Sequence, residues 1–155
     1  MYRDDGLWIQ GELLRRGLAR VHVTADTRPL ASEMLTIENR ARRAGEGLWR
    51  DPRFRVLSAA DAGHAVGSFQ LIEGRVVEAA RRADRWYLNF GEDWRSDFTV
   101  IIPAQALPDF AAANLDPYAF KGRVIRVRGW VESFNGPMIE AVIPEQIEII
   151  DEPAT

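Results

Sequence analysis

The sequence contains no cysteine among its 155 residues, and only two histidines, His22 and His64, which stand 42 positions apart. These absences exclude disulfide scaffolds and thiol catalysis, and they argue against metal sites built from cysteine or histidine. There is no run of about 18 apolar residues, which excludes a transmembrane helix. Residues 1–5 include two acids where a signal peptide needs apolar residues, so we expect a soluble chain without a signal peptide.

The composition is that of a globular protein, with 46% hydrophobic and 28% charged residues. The length suits one ordinary domain or two small ones. Charge is unevenly distributed, because residues 1–68 carry a balance of +2 and residues 69–155 a balance of −5. A protein that coats nucleic acid by neutralising phosphates is usually much more basic. The charge therefore argues against a general nucleic-acid coat and leaves room for a local groove.

The first 50 residues predict a helix at 7–16, a strand at 18–23 and a second helix at 29–44. Glu38 lies on the face of the second helix that we expect to be solvated. The apolar positions of that helix fall on one stripe: Leu30, Met34, Ile37, Ala41 and Ala44.

Residues 51–67 lose this periodicity and are predicted to form a linker. The rest, residues 68–151, predicts three strands, a helix and two strands, an order typical of the OB-type Greek-key barrel. The predicted fold class is a mixed α+β N-terminal segment, helix–strand–helix, followed by an all-β-dominated, OB-like five-stranded barrel with one helix. The predicted strands and helix are 69–79, 85–90, 97–102, 103–114 (the helix), 122–131 and 138–150.

Two segments of the N-terminal part resemble a known family. Residues 8–21 (WIQGELLRRGLARV) and 38–49 (ENRARRAGEGLW) are similar to the C-terminal part of thermonuclease, or staphylococcal-nuclease-like, domains. The resemblance covers about residues 1–50. Farther along, residues 87–91 (YLNFG) and 94–99 (WRSDFT) resemble an OB-like domain that accompanies thermonuclease domains in some bacterial proteins. The resemblance implies a bacterial protein, and a full-length form could be periplasmic or secreted.

The resemblance does not carry catalytic residues onto this sequence. The family uses two arginines, a glutamate and calcium-binding aspartates, all from strands and loops that precede the segment where this chain begins. We therefore expect no catalytic residue, metal site or cofactor in this chain, and calcium only if the missing nuclease part were present. One hypothesis is a nucleic-acid-binding or interaction module without the catalytic part. The alternative is the C-terminal portion of an active calcium-dependent nuclease, so the sequence leaves enzyme activity open.

The candidate binding residues lie in the second half of the chain. Period-two alternation in the strand at 122–131 predicts that Arg126, Arg128 and Trp130 share an outer face, as on surfaces that bind single strands by charge and stacking. Tyr87 and Arg85 are predicted to join them. The alternative interpretation is that the two arginines on this strand pair across the sheet with acids: Glu73, Glu140 or Glu148.

These features predict three properties of the partners. Single-stranded nucleic acid is expected to bind weakly, because acids surround the candidate strip. No membrane partner is expected. Self-association through residues 1–50 is a further expectation, since two helices and one strand would leave an apolar face uncovered.

Overall fold

The structure is a computed structural model, which describes residues 9–23, 28–93 and 97–150. The chain divides into two compact units, Met1–Arg55 and Val56–Thr155. The α-helices of the described residues are α1 (Ile9–Arg15), α2 (Ala31–Ala44) and α3 (Leu107–Ala112). Short 3-10 helices occupy Arg28–Leu30, Gly47–Arg50, Pro52–Phe54, Ala59–Ala65, Ala104–Ala106, Pro117–Phe120 and Pro144–Gln146.

All strands of the described residues belong to the second unit. They are β1 (Leu57–Ser58), β2 (Phe69–Arg75), β3 (Glu78–Arg82), β4 (Arg85–Asn89), β5 (Thr99–Ile102), β6 (Val124–Trp130), β7 (Glu132–Ser133), β8 (Pro137–Glu140) and β9 (Ile147–Ile149).

In the first unit, α1 ends at a glycine that no other residue could replace without strain. Gly17 has φ +71°, and Leu18 N–H donates to Leu13 O at 2.9 Å in the manner of a Schellman motif. A Cβ at Gly17 would lie 2.1 Å from the carbonyl oxygen of Glu46. Leu48 N–H also donates to Gly17 O at 2.8 Å, so this glycine joins the end of α1 to the turn that follows α2.

The segment predicted as a strand at 18–23 keeps the predicted alternation but forms no ladder. Val21 and Val23 are buried and His22 is exposed. No strand is assigned to residues 18–23 in the described part of the chain. The helix–strand–helix expectation is therefore corrected to two helices joined by an irregular segment, because Val21 N–H donates to Glu38 Oε2 at 2.6 Å instead of to a neighbouring strand.

That contact also corrects the expected face of α2. Glu38 was assigned to the solvated face, yet its side chain is fully buried. A buried carboxylate needs hydrogen-bond donors, and the backbone N–H of Val21 is one of them. The stripe that α2 buries keeps the predicted Met34 and Ala41 but contains Ala31 and Glu38 in place of Leu30 and Ile37.

The second unit is OB-like. Its first long strand bends at Val76–Val77, so that β2 pairs with β6 in the sheet β1-β2-β6-β9 and β3 pairs with β4 in the sheet β3-β4-β5-β8-β7. A second bend at Val131 separates β6 from β7 in the same way. Followed through both bends, three long strands (β2–β3, β4 and β5) precede α3, and two follow it: β6–β7, and the β8–β9 segment, which a 3-10 helix interrupts. Strand β8 lies parallel beside β5. This arrangement confirms the OB-like part of the predicted fold class.

The predicted linker at 51–67 is partly built into the second unit, which begins at Val56. Leu57 pairs in parallel with Ile72, and Ala62 and Ala65 of the following 3-10 helix belong to the hydrophobic core. A 3-10 helix lacks the 3.6-residue period of an α-helix, and its small side chains hide the apolar pattern. The stretch therefore had the composition of a linker without being one. No helix within the described ranges is long and apolar enough to cross a membrane.

Candidate functional site

Arg126 and Arg128, predicted to form an exposed strip, are instead buried, with 6% and 1% of their surfaces exposed. Arg126 Nη1 lies 2.8 Å from Glu73 Oε1, and its Nε lies 3.2 Å from Glu148 Oε1. Arg128 Nη2 lies 3.0 Å from the same Glu148 oxygen. The strand register sets Glu73, Arg126 and Glu148 side by side on β2, β6 and β9. The predicted exposed strip is therefore wrong for these two arginines. They form a buried ion cluster with Glu73 and Glu148, as the alternative interpretation predicted.

The ion pairs of this cluster shift the pKa values of Glu148 and Arg126 in the direction that favours their charged forms. Burial alone would raise the pKa of Glu148, but hydrogen bonds and attraction from Arg126 and Arg128 hold that pKa below its ordinary value. Burial would likewise lower the pKa of Arg126, whereas Glu148 and Glu73 raise it. Glu148 and Arg126 are therefore charged near neutral pH, and the cluster is a structural feature of the sheet.

Trp130 is the only member of the predicted strip that reaches solvent, with 56% of its surface exposed. Its ring meets the ring of Phe69 edge to face, with the centroids 6.1 Å apart. These two residues lie opposite each other on β6 and β2.

A different surface collects the other predicted residues, Arg85 and Tyr87. On β4 every second side chain lies on one face, so Arg85, Tyr87 and Asn89 share the outer face while the intervening Leu88 is fully buried. The register extends this face sideways, because Arg85 lies opposite Arg82 and Asn89 lies opposite Thr99. We call this surface, Arg82, Arg85, Tyr87, Asn89 and Thr99, the β4 face.

A cleft of about 180 Å³ opens on the β4 face. Its other wall is the turn between β7 and β8, where Asn135 has φ +56° and Phe134 N–H donates to Gly136 O at 2.8 Å. Phe134 is 52% exposed. The residues that line the cleft are Arg82, Tyr87, Asn89, Thr99, Phe134 and Asn135.

The cleft combines three kinds of chemistry. The two aromatic rings of Tyr87 and Phe134 offer stacking surfaces, and the amides of Asn89 and Asn135 offer hydrogen bonds. Arg82 supplies positive charge at the rim. Two exposed acids, Glu132 and Glu140, lie on the same outer face. Glu132 pairs with Met138 of β8, which also pairs with Thr99, and Glu140 pairs with Ile101. The surface is therefore mixed in charge and aromatic at its centre.

The sequence predicted two of these residues and missed the others. Tyr87 and Arg85, predicted to join Arg126, Arg128 and Trp130, lie instead on the β4 face, whereas Asn89, Thr99, Asn135 and Arg82 were not selected as site residues. The alternation of side chains along the predicted strand places Asn89 on the same face as Arg85 and Tyr87, so the sequence pattern could have predicted Asn89. The opposition of Arg82 to Arg85 depends on a two-residue turn, and the approach of the Phe134 turn depends on β8 lying beside β5. Neither is visible in a linear pattern.

Within the ranges that the structure describes, no group of three or more histidine, aspartate or glutamate side chains is arranged to hold a metal ion.

Comparison with known families identifies the N-terminal segment. Residues 1–51 match the family model described as staphylococcal nuclease homologue, which confirms the resemblance predicted for about residues 1–50. The match covers one third of the chain. The protein thus combines a segment like that of staphylococcal nuclease with an OB-like unit. A comparison with curated proteins finds no match.

Several solved structures are similar to this chain at low identity. They include OBody AM1L10 bound to hen egg-white lysozyme (16% identity, TM-score 0.44, 63% of this chain and 95% of that chain). Asparaginyl-tRNA synthetase from Pyrococcus horikoshii is 13% identical, with a TM-score of 0.44 over 63% of this chain and 23% of that chain. The S. pombe Stn1-ten1 complex is 17% identical, with a TM-score of 0.44 over 65% and 81%. The chain spans about a quarter of the synthetase, and we assign the OB-like fold from the strand order.

Proposed function

We propose that the second unit binds single-stranded nucleic acid on the β4 face, as a binding module without catalytic residues of its own. One observation carries this proposal: Arg82, which lines the cleft, lies directly opposite Arg85 across the β3–β4 ladder, on the same face as Tyr87. A phosphate placed between the two guanidinium groups could accept charge-assisted hydrogen bonds from both of them.

The cleft supports the second half of the proposal. Tyr87 is two residues from Arg85 on the same face, so its ring lies about 7 Å along the strand from the arginine position. Phe134 faces the cleft from the neighbouring turn. A base held against Tyr87 would then have its phosphate within reach of the arginines, which is the combination of stacking and charge used by proteins that bind single strands.

The charge of the surface determines how strong this binding is. Residues 69–155 carry a balance of −5, and Glu132 and Glu140 lie on the outer face beside the cleft. We therefore expect weak binding at physiological salt and a strong gain in affinity at low salt.

The test is fluorescence anisotropy of a labelled 12-nucleotide single strand with the full chain at about 50 and 150 mM salt. The variant R82E/R85E should weaken binding at least about tenfold and flatten its salt dependence. Arg81→Glu is the matched control, because Arg81 lies on the same hairpin opposite Trp86 and on the other face. If R81E weakens binding as much as R82E/R85E, general charge explains the effect and the proposal fails.

Stacking is tested separately with Tyr87→Ala. Stacking on one aromatic ring contributes about 1–3 kcal/mol, so the affinity should fall roughly tenfold or more. Tyr118→Ala is the control, since Tyr118 is 55% exposed and does not line the cleft. Equal affinity of Y87A and the parent protein would remove Tyr87 from the site.

The family match over residues 1–51 favours a second function for a longer form of this protein. In that form the chain would be the C-terminal portion of a calcium-dependent phosphodiesterase. The test is the genomic DNA before the Met1 codon, where an in-frame Asp-Arg-aromatic-Gly-Arg segment with earlier acids would support this function and an in-frame stop codon would refute it.

A further inference from the structure

We propose that the cleft on the β4 face discriminates between bases, preferring a keto base such as uracil to an amino base such as cytosine. This inference rests on the proposed function and assigns the discrimination to one side chain, Asn89. The sequence of groups along β4 is the starting point: Arg85, Tyr87 and Asn89 follow one another on one face at spacings of about 7 Å. A nucleotide has the same order of groups, phosphate, base ring and base edge.

The orientation of the Asn89 amide is set by its neighbour on β5. Thr99 Oγ1 lies 3.3 Å from Asn89 Oδ1 and donates to it, and Thr99 is itself 7% exposed. The same hydroxyl lies 3.5 Å from the backbone carbonyl of Asp97, at the limit of a hydrogen bond. The amide oxygen of Asn89 is thus engaged by the hydroxyl. Its Nδ2 group, which can donate two hydrogen bonds, makes none to any residue that the structure describes.

This arrangement presents donors to whatever base lies on Tyr87. Uracil carries a carbonyl oxygen at position 4, which accepts a hydrogen bond, whereas cytosine carries an amino group there, which donates. A keto edge would pair with Asn89 Nδ2, while an amino edge would set donor against donor and leave both groups unsatisfied. Because the two pyrimidines have nearly the same shape and stacking area, any difference in affinity reports on this edge.

The experiment measures the affinity of the full chain for two labelled 12-mers, oligo-deoxyuridine and oligo-deoxycytidine, at pH 7.5 and about 50 mM salt. We expect the uridine strand to bind about five- to tenfold more tightly, the effect of one matched against one mismatched hydrogen bond. Asn89→Asp replaces the donating group by an oxygen of the same shape and should reverse the order, so that cytidine binds better than uridine.

Asn135→Asp is the matched control, because it adds the same charge to the same cleft from the opposite wall. It should lower both affinities by a similar factor and keep uridine ahead. If N135D also reverses the order, the assignment to Asn89 is wrong.

The outcomes separate the inference from the proposed function. Equal affinity for both strands, with R82E/R85E still weakening binding, would overturn the base preference and leave the binding surface intact. Failure of both strands to bind at low salt would overturn both.

Discussion

Glu148 is the residue whose loss should cost the second unit most stability for the smallest change in shape. Its carboxylate is shared by Arg126 and Arg128, whose side chains are 7% and 1% exposed. Glu148→Gln keeps the volume and removes the charge. Both arginines then lose the charge of this carboxylate, while Arg126 keeps Glu73 at 2.8 Å.

The magnitude follows from this asymmetry. Removing one partner of a buried ion pair costs about 3–5 kcal/mol, because the other charge stays buried without compensation. Glu148 retains 17% exposure and Arg126 retains a second acid, so we expect the lower end, about 3 kcal/mol. For a unit of about 100 residues, 1 kcal/mol corresponds to roughly 4–8 °C, which predicts a fall in Tm of at least ~12 °C.

The assay is thermal unfolding of the full chain, monitored by the far-UV circular dichroism signal of the β-strands. Urea unfolding is the second measure. Glu140→Gln is the control, because Glu140 is an exposed glutamate on β8, and its replacement should change the free energy of unfolding by less than about 0.5 kcal/mol. If E148Q melts within a degree or two of the parent protein, the buried cluster does not stabilise the fold and the reasoning fails.

Four further predictions follow from other parts of the chain. The pKa of Glu148 is lowered in the folded protein, so this residue stabilises the fold above about pH 5, and the stabilisation is lost as pH falls through the folded pKa. The midpoint of urea unfolding should therefore fall between pH 5 and pH 3, and it should fall less in E148Q than in the parent protein. Gly17→Ala should lower the free energy of unfolding by at least about 2 kcal/mol, because Gly17 has a positive φ and a Cβ there would clash with Glu46. Gly63→Ala is the control: a Cβ at Gly63 would meet open space, so chemical denaturation should show a change of less than about 0.5 kcal/mol. Gln146 donates to two backbone carbonyls and accepts from two N–H groups, so Gln146→Glu should lower the free energy of unfolding by about 2–3 kcal/mol, as measured by urea titration; an unchanged midpoint would contradict this. The chain should not cleave single- or double-stranded DNA in calcium, because no carboxylate cluster of the described residues could hold the ion; cleavage that a chelator abolishes would refute this.

Local patterns in the sequence determined much of the architecture. The helices predicted at 7–16 and 29–44 are followed by Gly17 and Gly45, which both adopt a positive φ, the conformation in which glycine commonly ends a helix. The alternation of apolar residues located the strands of the second unit, and the order of those strands with one helix between them indicated the OB-like fold. The last predicted strand, 138–150, is interrupted at Pro144 by a 3-10 helix that separates β8 from β9.

The tertiary structure decided which polar groups are buried and which are exposed. Period-two alternation correctly gave Arg126, Arg128 and Trp130 one common face, but alternation says nothing about what lies against that face. Because β9 pairs with β6, Glu148 lies against this face and forms an ion cluster with the two arginines. In the first unit, Glu38 is buried because a backbone N–H far away in sequence needs an acceptor. A polar side chain can be buried only where the fold supplies a hydrogen-bond or ion-pair partner. These partners come from segments distant in sequence, so a local sequence pattern does not predict them.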